Sequence, residues 1–173
     1  GRAGLLQHRA GGAACLVRDV FNIFGNEWDA VNDREGYRHR SVAVGKRLGA
    51  ELLGATAYEL PPGERTWPYH WETVSEEWLL VLVGRPTLRT PDGERELRPG
   101  DVAVFPRGPD GGHALANRSD ETARIVLFST KGPLDVVHYP DSGKLGVWTI
   151  ERGYIAITDE QSEPPDYWDV EKP

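Results

Sequence analysis

Two histidines and two glutamates in the middle of the chain have the residue types and the spacing of a metal site. His70 and Glu72 lie two residues apart, so in an extended strand both side chains leave the same face. Glu77 follows after a connection short enough for a hairpin and heads the apolar run 77–83, in which alternate residues face the core. A carboxylate in such a row costs several kcal/mol unless it is paired, hydrogen-bonded or bound to a metal.

His113 begins another predicted strand directly after the Gly-rich loop 108–112, which can fold back close to a site. Two imidazoles and two carboxylates suit Mn(II), Fe(II), Ni(II) or Zn(II). We therefore expect His70, Glu72, Glu77 and His113 to point into one cavity and to hold a divalent transition metal, whose charge the two carboxylates would balance. Two alternatives stay open for Glu72, which could orient His70 or act as a catalytic general base instead of ligating.

The elements that must position these residues are short strands. Between residues 37 and 138, apolar or alternating runs are separated by Gly, Pro and Asp at intervals of roughly ten residues, which is typical of an antiparallel sandwich or barrel. Helical periodicity is scarce, so we predict an all-β fold. The predicted strands cover residues 38–44, 53–60, 77–83, 86–90, 94–97, 101–105, 113–117, 122–128 and 134–138.

The stretch 62–117 resembles the cupin superfamily, whose two motifs combine spaced glycines with the ligand residues. The first motif is matched by Gly63, His70-Trp71-Glu72, Glu77 and Gly84, and the second by Gly100, Pro106-Arg107-Gly108, His113 and Asn117. The departures are Glu72, which stands where a second histidine is usual, and Gly63, which lies one residue further from the pair than usual. In addition, four residues rather than two separate Gly108 from His113. A His-aromatic-Glu pair, the segment 139–144 and Tyr167-Trp168 are similar to those of a group of small single-domain bacterial cupins.

This resemblance implies a double-stranded β-helix, or jelly roll, with N- and C-terminal extensions, and a metal site at the four residues above. It also implies a homodimer. The expected function is a metal-dependent enzyme on a small organic molecule, with a dioxygenase-like reaction ahead of isomerisation or decarboxylation. The alternative is a non-catalytic module that binds a small ligand, with a structural metal or none. Trp67, Tyr69, Trp71 and Trp78 are expected to line a substrate mouth or to pack in the core.

Length and charge restrict the remaining classes. The 173 residues suit one domain, divided into an extension over 1–20, a barrel over 21–150 and an acidic tail over 151–173 that Tyr167 and Trp168 anchor. Because the chain has no Met, we expect the first residues to be trimmed or foreign. The net charge of −7 argues against nucleic acid as a partner, and no apolar run is long enough to span a membrane. The single cysteine suits a reducing compartment, so we expect a cytoplasmic protein.

Overall fold

The computed structural model describes residues 20–149 and 151–160, and nearly all of its regular structure is β-strand, as predicted. Short helices cover Val44–Arg47 (α1) and Pro109–Gly111, the latter a 3₁₀ turn. The strands are β1 (Ala30–Asn32), β2 (His39–Val42), β3 (Leu53–Leu60), β4 (Trp71–Glu72), β5 (Glu77–Val83), β6 (Thr87–Thr90), β7 (Gly93–Glu96), β8 (Val102–Phe105), β9 (Ala114–Ala116), β10 (Ala123–Thr130), β11 (Leu134–Tyr139), β12 (Lys144–Thr149) and β13 (Gly153–Asp159).

The strands form two layers. One layer is a six-stranded antiparallel sheet in the order β1-β2-β3-β10-β5-β8. The other combines the four strands β13-β12-β11-β4 with the three strands β7-β6-β9. An antiparallel bridge between His70 and His113 joins these two parts, so the second layer is continuous across the metal-site residues.

The core lies between the layers. Leu60, Leu79, Val81 and Ile125 come from the six-stranded sheet and pack against Leu88 and Leu115 of the second layer. In β5, Glu77, Leu79 and Val81 are buried as the alternation predicts, whereas Val83 is exposed beside an irregularity in the pairing with β10.

The outer face of the six-stranded sheet is covered only in part. Phe21, Ile23 and Trp28 pack over Ala57 and Val126, which lie on β3 and β10. Further along the same sheet, Trp78, Val102 and Val104 of β5 and β8 stay about half exposed. A strip of apolar side chains therefore remains open at the β8 edge.

Four strands of the described residues were not predicted from the sequence: β1, β4, β12 and β13. β4 is only two residues long and carries no usable periodicity, and β13 is exposed along almost its whole length. β13 lies inside the segment 151–173 and pairs with β12, so the sheet extends into the predicted tail. Tyr167 and Trp168 lie outside the described residues. Within residues 20–149 and 151–160, no helix has the length and apolar character needed to cross a membrane.

Candidate metal centre

His70 and His113 are brought together by the backbone. Each donates its main-chain N–H to the carbonyl oxygen of the other, at 3.1 Å from His70 and 2.8 Å from His113. Residues paired in this way in an antiparallel bridge project to the same side. The two imidazole centroids are accordingly 4.6 Å apart.

The second ring nitrogen of each histidine fixes its tautomer. Nδ1 of His70 lies 2.9 Å from the carbonyl oxygen of Pro68, and Nδ1 of His113 lies 3.0 Å from that of Gly111. A carbonyl oxygen can only accept, so the proton of each neutral ring is on Nδ1. Each Nε2 therefore presents a lone pair, which is the arrangement found in metal-ligating histidines.

Glu77 reaches the same point from the opposite sheet. One ligand atom each from His70, Glu77 and His113 lies within 4.8 Å of the others, and all three residues are buried. Oε2 of Glu77 is 3.2 Å from Nε2 of His113, yet both atoms lack a hydrogen-bond partner. When Glu77 is ionised, a lone pair thus faces a carboxylate oxygen, and either the carboxyl proton or a metal cation between them resolves the conflict.

Burial sets the protonation of this group. It lowers the pKa of His70 to about 3, with a further contribution from His113, and lowers the pKa of His113 to about 4. It raises the pKa of Glu77, and the neighbouring Asp135 adds to the effect. Both imidazoles are therefore neutral near pH 7 and ready to ligate, whereas the carboxyl group must release its proton to do so.

The loop before His113 is held close to the site. The N–H of Gly108 donates to the carbonyl oxygen of Glu72 at 2.8 Å, and the ring of Phe105 stacks on His113 at 3.8 Å. A Cβ atom on Gly111 would lie 1.7 Å from the carbonyl oxygen of Pro106, so only glycine fits there. The glycines of this loop let the backbone fold back and accept the proton of His113 Nδ1.

Glu72, the fourth predicted ligand, is not part of the three-residue group. Its Oε2 is buried without a hydrogen-bond partner, and burial raises its pKa, with further contributions from Glu77 and Asp135. The structure thus places a second carboxylate beside the predicted metal ligands but outside their cluster.

Sequence comparison gives the family. Residues 57–129 match the sequence model of the cupin domain, and these residues include the three clustered candidate ligands. The chain contains a cupin domain over these residues. A search of the curated proteins finds no match.

Solved structures agree with this cupin fold. A sugar phosphate isomerase of the cupin superfamily from Silicibacter pomeroyi is 27% identical, with a TM-score of 0.67 over 75% of this chain and 81% of its own. A protein provisionally assigned as a sugar phosphate isomerase from Acidithiobacillus ferrooxidans is 24% identical, with a TM-score of 0.68 over the same shares. The double-stranded β-helix predicted from the motifs is confirmed.

Aromatic residues of the cupin surround the ligands on one side. The ring of Trp67 lies 6.1 Å from that of His70 and 5.9 Å from that of His113, and the ring of Tyr139 lies 6.0 Å from that of His70. Trp67, Tyr69 and Tyr139 also line a cavity of about 780 Å³, although none of the four predicted ligands does.

The other predicted aromatic contacts lie elsewhere. Trp71 stacks on His138 with ring centroids 3.6 Å apart. Trp78 faces outward from β5, where its Nε1–H donates to Glu76. Only two of the four aromatic residues named from the sequence therefore border the cavity.

Sequence reasoning missed Asp135, which holds the loop between Glu72 and Glu77. Its carboxylate accepts the N–H groups of Thr73, Val74 and Ser75 at 3.2, 3.0 and 2.8 Å. The only sequence signal was Asp135 between the apolar residues Leu134 and Val136 of a predicted strand. Asp135 fixes the hairpin that carries both glutamates.

Proposed function

We propose that this cupin is a metal-dependent enzyme that isomerises a small hydroxycarbonyl compound by proton transfer. The observation that carries the proposal is Glu72, a carboxylate with an unpartnered buried oxygen beside the His₂Glu cluster but outside it. A carboxylate in that position is free to exchange a proton with a substrate, because its oxygen is not committed to the protein.

The three clustered residues and Glu72 have different tasks in this reaction. His70, Glu77 and His113 would hold a divalent ion of the Mn, Fe, Ni or Zn type, which when bound polarises an oxygen of the substrate. Glu72 takes a proton from the hydroxyl-bearing carbon next to the carbonyl and returns it to the former carbonyl carbon. The hydroxyl proton moves to the other oxygen, so no co-reactant is consumed.

The comparisons support this reaction class. The Silicibacter pomeroyi structure is that of a sugar phosphate isomerase, and it shares its fold over three quarters of this chain. Sugar phosphates that isomerise are hydroxycarbonyl compounds. This relationship and the free carboxylate favour isomerisation over the dioxygenase-like reaction that we placed first from the sequence.

A dioxygenase remains the second candidate because of the ligand set. Two histidines and one carboxylate are typical of non-haem Fe(II) oxygenases, which keep open positions for O₂ and substrate. The geometry of His70, Glu77 and His113 is compatible with that chemistry. A non-catalytic ligand-binding module would show neither reaction.

The test is turnover of the protein loaded in turn with Mn(II), Fe(II), Ni(II) and Zn(II), on a panel of aldoses, ketoses and their phosphates in D₂O. We expect interconversion with deuterium incorporated at the exchanging carbon. The E72Q variant should retain its metal and lose about 10²-fold or more in rate, as for other general bases. The matched control is E76Q, the same change at a half-buried glutamate that accepts a hydrogen bond from Trp78.

One result would overturn the isomerase, and two others would change the role of Glu72. Substrate-dependent oxygen consumption by the Fe(II) protein without isomerisation would establish the second candidate. Full turnover in E72Q would remove Glu72 from the reaction. Loss of both metal and turnover in E72Q would make Glu72 a fourth ligand, as first expected.

We also propose that the protein is a cytoplasmic homodimer whose copies meet at the open strip of Trp78, Val102 and Val104. These side chains are 47%, 58% and 49% exposed and lie next to the edge strand β8. Exposed apolar edges of this kind favour pairing with a second copy. Light scattering should give twice the chain mass, and V104D should give the single mass; a monomeric parent protein would refute this proposal.

A further inference from the structure

The cavity beside the metal centre collects positive charge in an acidic protein. Its wall includes five cationic side chains and only two carboxylates, although the whole chain carries a net charge of −7. The cations are Arg34, Arg65, Arg89, Arg118 and Lys144, and the carboxylates are Glu94 and Asp141. Local charge of this sign concentrates anions from solution.

Two of the cations are already neutralised. Arg89 makes a double hydrogen bond to Asp141 at 2.6 and 2.8 Å, and its guanidinium lies 4.1 Å above the ring of Tyr69. Arg118 makes a similar pair of bonds with Glu94 at 2.6 and 2.5 Å. These pairs build a rigid rim but leave no net charge.

The other three cations form no ion pair within residues 20–149 and 151–160. Two of them are placed together by the backbone. The N–H of Arg65 donates to the carbonyl oxygen of Gly36 at 3.1 Å, and the N–H of Tyr37 donates to that of Arg34 at 2.9 Å. The loop that carries Arg34 is thus fastened beside Arg65, and Lys144 lines the same cavity.

We propose that this cleft binds the phosphate group of a phosphorylated, sugar-sized substrate. Guanidinium groups match phosphate oxygens in shape, and three cationic side chains that pair with neither cavity carboxylate suit a dianion better than a single carboxylate. The volume of about 780 Å³ can hold a hexose phosphate. The link to catalysis rests on the proposed function, whereas the anion site rests on the cleft alone.

The position of the cleft explains how both ends of one molecule would be used. Trp67 and Tyr139 line the cleft, and their rings also lie about 6 Å from the ring of His70. A phosphate held by Arg34 and Arg65 would leave the carbon skeleton against these aromatic rings, on the side of the metal centre. Aromatic side chains and a few polar groups are the usual lining of a small-molecule site.

The test is calorimetric titration of the metal-free protein with four probes: inorganic phosphate, fructose 6-phosphate, fructose and gluconate. The metal-free form is suitable because none of the metal ligands lines the cleft. We expect fructose 6-phosphate to bind at one site and the unphosphorylated sugar to bind far more weakly. R34Q and R65Q should each weaken the phosphate ester about tenfold, as expected for one charge-assisted contact.

The control is R98Q, which removes the same charge from an exposed arginine outside the cavity lining. Unchanged affinity in R98Q with weakened affinity in R34Q and R65Q supports the site. If affinity for the phosphate ester fell equally in all three variants, the effect would be one of net charge, and the proposed phosphate site would be refuted. Equal binding of fructose, tighter binding of gluconate, or no binding of either phosphate probe would also overturn it.

Failure of the proposed function has a different signature. If the phosphate ester binds with the expected variant pattern but the metal-loaded protein does not isomerise any sugar phosphate, the phosphate site is supported and the isomerase is refuted. If turnover depends on Glu72 but not on Arg34 or Arg65, the isomerase is supported and the phosphate site is refuted.

Discussion

Replacing Glu77 by glutamine should stabilise the metal-free protein and destabilise the metal-bound protein. In the metal-free protein, Oε2 of Glu77 lies 3.2 Å from the unprotonated Nε2 of His113, and neither atom has a hydrogen-bond partner. Above pH 8 Glu77 is ionised, because its pKa is raised to about 8, and the carboxylate cannot donate to that nitrogen. The amide of E77Q can donate to it and removes a buried carboxylate. At such a pH, one new hydrogen bond and a relieved desolvation penalty together amount to about 1–3 kcal/mol of added stability.

Metal binding should act in the opposite sense. A ligand present at about 100 times its Kd stabilises the native state by roughly 2.7 kcal/mol. E77Q loses the charged ligand and most of that gain. For a domain of this size, each kcal/mol corresponds to about 2–4 °C in melting temperature. The variant should therefore melt above the parent protein in chelator and below it in saturating Mn(II) or Zn(II).

The pH dependence gives a second readout of the same substitution. Burial raises the pKa of Glu77, so the native state binds this proton more tightly than the unfolded chain does. Stability from that proton is present at low pH and is lost as the pH rises through the raised value. The advantage of E77Q in chelator should accordingly grow between pH 5 and pH 8.

Thermal unfolding followed by calorimetry, with chelator and with metal, measures these differences. E76Q is the control, because its oxygen can still accept the Trp78 Nε1–H that Glu76 accepts at 2.9 Å. We expect E76Q to change stability by less than about 0.5 kcal/mol under both conditions. The geometry in which Glu77 Oε2 and His113 Nε2 face each other as two acceptors would be refuted if E77Q were less stable than the parent in chelator above pH 8, or if metal stabilised both proteins equally.

Three further predictions concern the motif residues and the protons. N117A should lower the free energy of unfolding by about 2–4 kcal/mol in urea titrations. The reason is that the fully buried amide of Asn117 donates to the carbonyl oxygens of Leu60 and Glu121 at 2.9 and 2.7 Å. A loss below about 0.5 kcal/mol would mean that water replaces both hydrogen bonds. G111A should lose metal content while keeping its β-sheet circular dichroism. The added Cβ would lie 1.7 Å from the Pro106 carbonyl oxygen, so the loop before His113 must move. Full metal content in G111A would show that this loop can move without displacing His113. Metal binding at pH 7 should release up to two protons, one from Glu77 and one from Glu72, because burial raises the pKa of both carboxyl groups, whereas the pKa of His70 is lowered to about 3 and that of His113 to about 4. Titration in buffers of different ionisation enthalpy would contradict this by giving a release near zero.

The sequence predicted most of the cluster because its physical reasons are local. Glu77 heads a run whose alternate residues are apolar, and β5 buries it as that alternation requires. His113 follows a Gly-rich loop that does fold back, with the Gly111 carbonyl accepting from its ring. Neither inference needed knowledge of distant parts of the chain.

Glu72 was harder to place because the strand changes partner beside it. Alternation puts Glu72 on the same face as His70, but His70 pairs with His113 whereas Glu72 pairs with Val137 of β11. The backbone therefore changes its hydrogen-bonded partner, from His113 to β11, between residues 70 and 72. The sequence of a single strand contains no sign of such a change.

The cationic cleft was beyond prediction for a related reason. Arg34, Arg65 and Lys144 come from separate parts of the chain, and the segment 139–144 was interpreted only as a turn. It is a turn, joining β11 to β12, but this turn also brings Lys144 to the cavity. Long-range pairing of the strands, rather than any motif, assembles the anion site.

The position of Glu72 changes the electrostatics expected of the centre. Four ligands with two carboxylates would leave a divalent ion with no net charge, and so make it a weak Lewis acid. The three clustered ligands contain one carboxylate, so an ion held by them keeps a net charge of +1. That residual charge favours an anionic substrate oxygen, and it also favours the ionised form of Glu72 nearby. Metal binding should therefore convert Glu72 from a protonated carboxyl, which burial favours, into the ionised base that proton transfer requires.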